Sequence, residues 1–274
     1  MYTIIVKLKC EGIGNTSSYG IFKLFPFTIK DLSLTTLPLH VPCVASQFLQ
    51  ASVLTFATMI INLSKEHSLV SNWISEIRDT EVQGDRMRFR RNLERVGEIA
   101  AYEISKTMPS IEKEVQTPLG IATCQVLKEQ PVLATILRAG LPLHQGLLNY
   151  FDKADNAFVS AYRKHDSEGT FEISLEYMSS PEIDGRIVII SDPMLATGAS
   201  LVKTIQYLKN EGTASKIHIV VAIACTVGIE FVRREVPDAH IWCGDIDDEL
   251  TAKGYIVPGL GDAGDLAFGA KIQS

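Results

Sequence analysis

The segment Ile187-Val188-Ile189-Ile190-Ser191-Asp192-Pro193-Met194-Leu195-Ala196-Thr197-Gly198-Ala199-Ser200 decides the fold. A β-branched apolar run ends in an acid, and a short turn of small, hydroxyl-bearing and glycine residues follows. Leu201, Ile205 and Leu208 then recur at helical spacing. Strand, acid, compact turn and helix is one way to build an anion site. The N–H groups of Ala196 to Ser200 would lie at a helix N-terminus, where the macrodipole favours negative charge. Thr197 and Ser200 can add hydroxyl donors, and Gly198 allows close backbone approach. Asp192 closes its strand, where ligand-binding residues of open α/β sheets are found. No Gly-Lys-Ser/Thr closes the turn, so it is not a Walker loop.

Working outward, strands and helices alternate as in an α/β domain with a mostly parallel twisted sheet flanked by helices. Val70, Trp73, Ile74 and Ile77 have helical spacing, and a longer helix over 86–106 carries Phe89, Leu93, Val96, Ala100 and Ile104 on one face. Strands are expected at 131–137, 156–162, 187–191, 217–224 and 239–243, with helices at 141–151, 199–210 and 227–235. Phe171, Ile173, Leu175 and Tyr177 alternate with polar residues, as a half-exposed hairpin strand does. From about Asp247 the chain reads as loop-rich.

The chain of 274 residues is 46% hydrophobic and 21% charged, enough for a substantial core. Its net charge of −6 and lack of like-charge blocks argue against nucleic-acid binding. Arg86, Arg88, Arg90 and Arg91 share a helix with Glu94 and Glu98, so a solvated or subunit-contact face is expected there. Five scattered cysteines without Cys-x-x-Cys spacing, and six dispersed histidines, suggest neither a disulfide framework nor a metal cluster. They fit a reducing, cytoplasmic setting.

Residues 1–58 differ from the rest. They hold six charged residues, four basic and two acidic, which leaves a net of −8 for residues 59–274. Leu32 to Ser64 contains no Asp, Glu, Lys or Arg. Pro38, Pro42, Gln47 and Gln50 interrupt it, which disfavours a membrane anchor, and its distance from the start disfavours a secretory signal. The expectation is an atypical extension over 1–58, with Met59 as an alternative start, and an α/β domain over 59–274.

Three further segments carry chemistry. Leu137-Arg138-Ala139-Gly140 puts an arginine at another strand end, where its planar fork suits a phosphate or diphosphate. Tyr162-Arg163 ends the next strand and leads into Lys164–Thr170, a polar, Gly-containing stretch suited to a mobile hairpin. Gly254-Tyr255-Ile256-Val257-Pro258-Gly259-Leu260-Gly261-Asp262-Ala263-Gly264-Asp265 contains Gly-x-Gly-x-x-Gly at 259–264. Only ten residues follow Gly264, too few for the helix and second strand of a dinucleotide fold. A glycine-rich loop that exposes its own N–H and C=O groups is the better expectation.

Asp192-Pro193-Met194-Leu195-Ala196-Thr197-Gly198 resembles the phosphoribosyl diphosphate (PRPP) motif of type I phosphoribosyltransferases, in the version of the uracil phosphoribosyltransferases. Leu137–Gly140 is similar to their diphosphate loop, and 254–265 to their uracil-recognition loop. The resemblance covers residues 59–274. It implies transfer of the phosphoribosyl group of PRPP to uracil, giving UMP and diphosphate. Arg138, Arg163, residues Asp192 to Ser200 and Asp262 would bind PRPP, with Asp192 on the ribose hydroxyls. Ile256, Gly261, Asp262 and Ala263 would meet uracil. Asp192 and Asp262 are the candidate catalytic acids. Mg²⁺ would be held by substrate and water, with Asp262 as the protein group nearest to it, rather than by a protein cage. The family also implies a homo-oligomer, a dimer or tetramer. Two departures stand out: Ala199 replaces a usual second glycine, and Leu266 a usual arginine. They leave a second reading open, a catalytically weak regulator that binds PRPP, uracil or UMP.

Overall fold

A strand buried on both faces must be apolar at successive positions, and the central strands satisfy this. The computed structural model describes residues 5–11, 17–23, 52–53, 58–165 and 171–271, with side chains placed for 58–160 and 177–271. Two compact units divide the chain, Met1–Ala57 and Thr58–Ser274. In the first, β1 (Ile5–Glu11) pairs antiparallel with β2 (Ser17–Lys23) and β3 (Ser52–Val53). Much of the uncharged Leu32–Ser64 stretch lies outside the described residues. Among the described residues, no helix is long and apolar enough to cross a membrane.

The second unit runs β4 (Ile60–Asn62), α1 (Leu69–Arg78), α2 (Arg86–Ser105), β5 (Ser110–Thr117), β6 (Gly120–Leu127), β7 (Val132–Leu137), α3 (Leu141–Tyr150), β8 (Asp155–His165) and β9 (Phe171–Ser179). It continues with β10 (Ile187–Ser191), β11 (Met194–Leu195), α4 (Ala199–Leu208), β12 (Lys216–Cys225), α5 (Thr226–Glu235), β13 (His240–Asp247), β14 (Glu249–Leu250), β15 (Ile256–Val257) and α6 (Ala263–Phe268). The main sheet has the order β4-β13-β12-β10-β7-β8-β9, with β11 beside β12. All its pairings are parallel except the β8–β9 hairpin.

Alternation sorts the core into two layers. Leu133, Ile189, Val220 and Trp242 join Phe89, Leu93, Val96, Leu143 and Leu147 on the face covered by α1, α2 and α3. Val132, Val188, Ile190, Ile219 and Ile241 meet Leu201, Ile205, Ile229 and Val232 of α4 and α5 on the other. Burying each such side chain stabilises by about 1.5–3 kcal/mol. Ser68 caps α1 by accepting from the Val70 N–H, and Asp85 caps α2 by accepting from the N–H groups of Met87 and Arg88.

Several boundaries correct the sequence expectations. The strand expected to end at Tyr162-Arg163 continues to His165, so Lys164 and His165, expected in the polar connecting stretch, pair with Glu172 and Phe171 because the antiparallel β9 extends the ladder. The rest of that stretch, 166–170, lies outside the described residues. The strand expected at 239–243 extends to Asp247, paired with Cys225 of β12. The loop-rich end contains α6, nucleated where Asp262 accepts a hydrogen bond from the Asp265 N–H.

Candidate active site

Three strand ends converge at the carboxyl edge of the sheet. On the central strand β10, the Asp192 N–H bonds the Val220 carbonyl at 3.1 Å, and the Pro193 carbonyl accepts from Ala222 and Ile223 at 3.0 Å each. β11 then lies alongside Ile223 and Ala224. The chain from Asp192 to Leu195 is thus tied to β12 by main-chain bonds, which aims the following turn. Asp192 also turns its carboxylate back to accept from the Met194 N–H at 3.3 Å. Gly198, at φ 81° and buried, is the N-cap of α4. A glycine there brings no capping side chain to the first N–H groups of the helix, the condition that an anion satisfies. Ala199 is the first residue of α4, and its N–H points to Thr197 Oγ1 at 3.4 Å. Its methyl group therefore sits on ordinary helical backbone.

β7 lies beside β10 in parallel register, Thr135 opposite Ser191, so Arg138 and Asp192 leave neighbouring strand ends. The Leu137–Arg138 peptide is cis. Arg138 Nη2 donates at 2.8 Å to Asp265 and at 2.8 Å to the Gly269 carbonyl. The structure therefore brings the 137–140 loop against the C-terminal segment. Arg163 lies on β8, next to β7; its side chain is outside the described set.

The C-terminal segment is held from several sides. β14 and β15 pair, placing Leu250 opposite Ile256, and the Val257–Pro258 peptide is cis. Ile256 and Ala263 bury their side chains, while Gly261 is exposed. A base meeting this segment would therefore meet main chain rather than those side chains. Asp262 caps α6 through one carboxylate oxygen; the other lies 3.7 Å from Lys271 Nζ.

The uracil phosphoribosyltransferase family profile matches residues 64–270. A uracil phosphoribosyltransferase of Porphyromonas gingivalis is 52% identical over 214 residues, which cover 78% of this chain and 99% of that protein. This chain belongs to the uracil phosphoribosyltransferase family.

The relative of that name from Pyrococcus furiosus is 37% identical over 203 residues, covering 73% of this chain and 86% of that protein. The solved structure of the AQ2163 protein from Aquifex aeolicus superposes with a TM-score of 0.70 at 32% identity, covering 78% of this chain and all of that one.

Leu266, noted above as a departure from a usual arginine, packs partly buried against the core. Lys271 brings a cation to the neighbouring Asp262 instead. Residues invisible to sequence reasoning brace the site from behind. Arg78, at the end of α1, donates both guanidinium nitrogens to Asp247 at 2.8 and 2.9 Å, and one of them to Asp245 at 3.0 Å. Burial alone opposes charge on Arg78, but the Asp247 and Asp245 contacts prevail and its pKa lies above the ordinary value. The strand extension past Cys243 was the missed signal, because it brings the two acids to a strand end. Three of the four clustered arginines are engaged within the chain. Arg88 pairs with Glu76, Arg91 with Glu94 and Glu98, and Arg90 donates to the Ala267 carbonyl at 2.7 Å. The Arg88 and Asn92 hydrogen bonds hold Glu76 down to about 2.

Proposed function

We infer that the protein transfers the phosphoribosyl group of PRPP to uracil, forming UMP and diphosphate. The convergence of the 192–200 turn, the 137–140 loop and the 254–265 segment on one sheet edge carries this reading, supported by family membership. The ring nitrogen of uracil bonds to the anomeric carbon as the bond to diphosphate breaks, through an oxocarbenium-like state. No covalent intermediate is needed, so the protein's work is positioning and charge neutralisation. Residues Ala196 to Ser200 hold the 5′-phosphate and Asp192 the ribose hydroxyls, with Pro193, Met194 and Leu195 setting the turn. Arg138 and Arg163 receive the diphosphate, and Arg138 exchanges Asp265 for it. Ile256, Gly261 and Ala263 read the base through main-chain groups. Asp262 faces the PRPP side and is the candidate proton acceptor.

Among the described residues, no group of three or more His, Cys, Asp or Glu could hold a metal ion. The carboxylates of Asp192 and Asp262 suit a hard cation bound mainly through substrate oxygens and water, as Mg²⁺ prefers. Mg²⁺ would supply charge neutralisation on the diphosphate. The test is Asp192→Asn and Asp262→Asn in a folded protein. Loss of a charged hydrogen bond of about 1.5–3 kcal/mol lowers UMP formation by roughly 10- to 100-fold. Wild-type rates in both variants refute the role assignment.

The regulator alternative gains no support: Ala199 is helical, and Leu266 has a packing role.

The β5–β6 hairpin supports a homo-oligomer. It is exposed along nearly its whole length, and Leu119 and Ile121 are 99% and 68% exposed. Apolar exposure on a projecting arm fits burial against a second copy. Leu119→Asp with Ile121→Asp should lower the mass seen by light scattering to that of a smaller species; an unchanged mass rejects the assignment. The three cysteines with placed side chains, Cys124, Cys225 and Cys243, are free, which is compatible with a cytoplasmic setting. The 59–274 unit is the enzyme on this reading, with 1–58 an extension. A chain starting at Met59 should keep uracil turnover, and its loss would contradict that.

A further inference from the structure

The loop assigned to base recognition is held in shape by residues that make no base contact of their own. Gly259 stands at φ 60°, and a methyl group there would collide with the Ile256 carbonyl, so the turn admits little variation. Both sides of Gly259 are bound by one ion pair. Its N–H donates to Asp247 Oδ2 at 2.9 Å, and its carbonyl accepts from Arg78 Nη1 at 3.1 Å. The same Arg78 grips Asp247 with a parallel fork at 2.8 and 2.9 Å, and Asp247 is only 7% exposed. Asp245 adds a third carboxylate contact at 3.0 Å. Three distant pieces of chain therefore meet at Gly259: the end of α1, the end of β13 and the C-terminal segment. Ile256 lies three residues before this point and Gly261 two after it.

We propose that Arg78 and Asp247 form a clamp that positions the Ile256–Gly261 turn for base recognition, so that they set uracil affinity and base discrimination without touching the base. This rests on the uracil-transfer reading above. The planar fork is essential, because Nη1 alone reaches Asp247 and the Gly259 carbonyl, while Nη2 adds the second Asp247 bond and the Asp245 bond that hold the group in one orientation; a lysine ammonium has no second nitrogen to supply them. The clamp belongs to the base loop, whereas the 192–200 turn is anchored through Asp192 to Leu195, which are tied to β12 by main-chain bonds. The two substrates should therefore respond differently.

The test compares wild type, Arg78→Lys, Arg78→Gln and Asp245→Asn for kcat, the uracil KM and the PRPP KM, with hydrogen exchange of the 256–261 amides. In Arg78→Lys the uracil KM should rise about tenfold or more while the PRPP KM stays within about twofold. Discrimination of uracil against cytosine should narrow, and Asp245→Asn should show a smaller change of the same kind. Gly259 exchange should accelerate in Arg78→Lys and Arg78→Gln, with the 196–200 amides unchanged. A folded Arg78→Lys with wild-type uracil KM, or with both KM values rising together, overturns the clamp. So does a Gly259 amide that exchanges at the free-peptide rate in the wild type, a readout that needs neither activity nor a variant. A wild type that forms no UMP would instead overturn the activity assignment, and the exchange result would still decide whether the clamp exists.

Discussion

Gly198→Ala puts the turn before α4 under direct strain. Gly198 has φ 81° and ψ −10°, a backbone that an L side chain adopts at about 1–2 kcal/mol. Its new methyl group would lie 3.1 Å from the Gly228 carbonyl oxygen, 3.1 Å from Phe231 Cδ1 and 3.3 Å from Val232 Cγ2. Crowding against α5 adds about 1–3 kcal/mol, since backbone on one side cannot yield as a flexible side chain does. The total is about 2–5 kcal/mol. At roughly 2–4 °C per kcal/mol for a domain of this size, the melting temperature should fall by about 4–20 °C. The turn can instead escape the strain by leaving positive φ, which moves the N–H groups of Ala196 to Ser200 away from the position proposed for the 5′-phosphate. In that case the melting temperature holds and the PRPP KM rises by about tenfold or more. Calorimetric melts and initial-rate kinetics on the same preparation separate the two. A variant with both the melting temperature and the PRPP KM of the wild type refutes the turn as a strained, phosphate-binding element.

Other perturbations test separate parts of the account. Arg138→Met should raise the PRPP KM and leave the uracil KM within about twofold; equal changes in both would mean that the arginine only ties down the C-terminal segment. Lys271→Ala, which removes the cation beside Asp262, should lower PRPP use by about two- to fivefold, the size of an exposed charge contact; no change would make Lys271 incidental. Buried His218 accepts a hydrogen bond from Trp242 Nε1 at 3.0 Å, and burial first, then the charges of His240 and Lys216, lower its pKa to about 3. The unfolded chain takes up this proton below its usual pKa of about 6.5 while the folded one does not, so stability falls as pH drops from 6.5 towards 3. Between pH 7 and pH 5 that removes about 2 kcal/mol. Urea titrations of His218→Gln should lack this increment, and identical pH slopes would reject it.

Legibility from sequence followed the strength of local signals. The 187–200 segment was readable because a both-faces-buried parallel strand is a continuous apolar run, and the glycine at φ 81° has no substitute. Helices α1 and α2 were equally plain, their apolar spacing being the face they bury. The β5–β6 hairpin was missed because an exposed arm has no buried face to impose alternation: Ser110 to Gln116 are all exposed. α6 was read as loop because six residues cannot display a period, and its capping depends on Asp262 and Asp265 meeting across one turn. In the site, Asp192 and Arg138 were legible as strand-end residues. Arg78 and Asp247 were not, since their meaning lies in a contact across 169 positions of chain that no local pattern records.

The central claim is that this sheet edge joins uracil to the ribose of PRPP. Incubation of the purified protein with radiolabelled uracil, PRPP and Mg²⁺, followed by chromatographic separation, tests it most directly. Label should move into UMP with one diphosphate released per UMP, and Asp192→Asn should suppress both together. Label that stays in uracil, from a folded protein that still binds PRPP, would contradict the account.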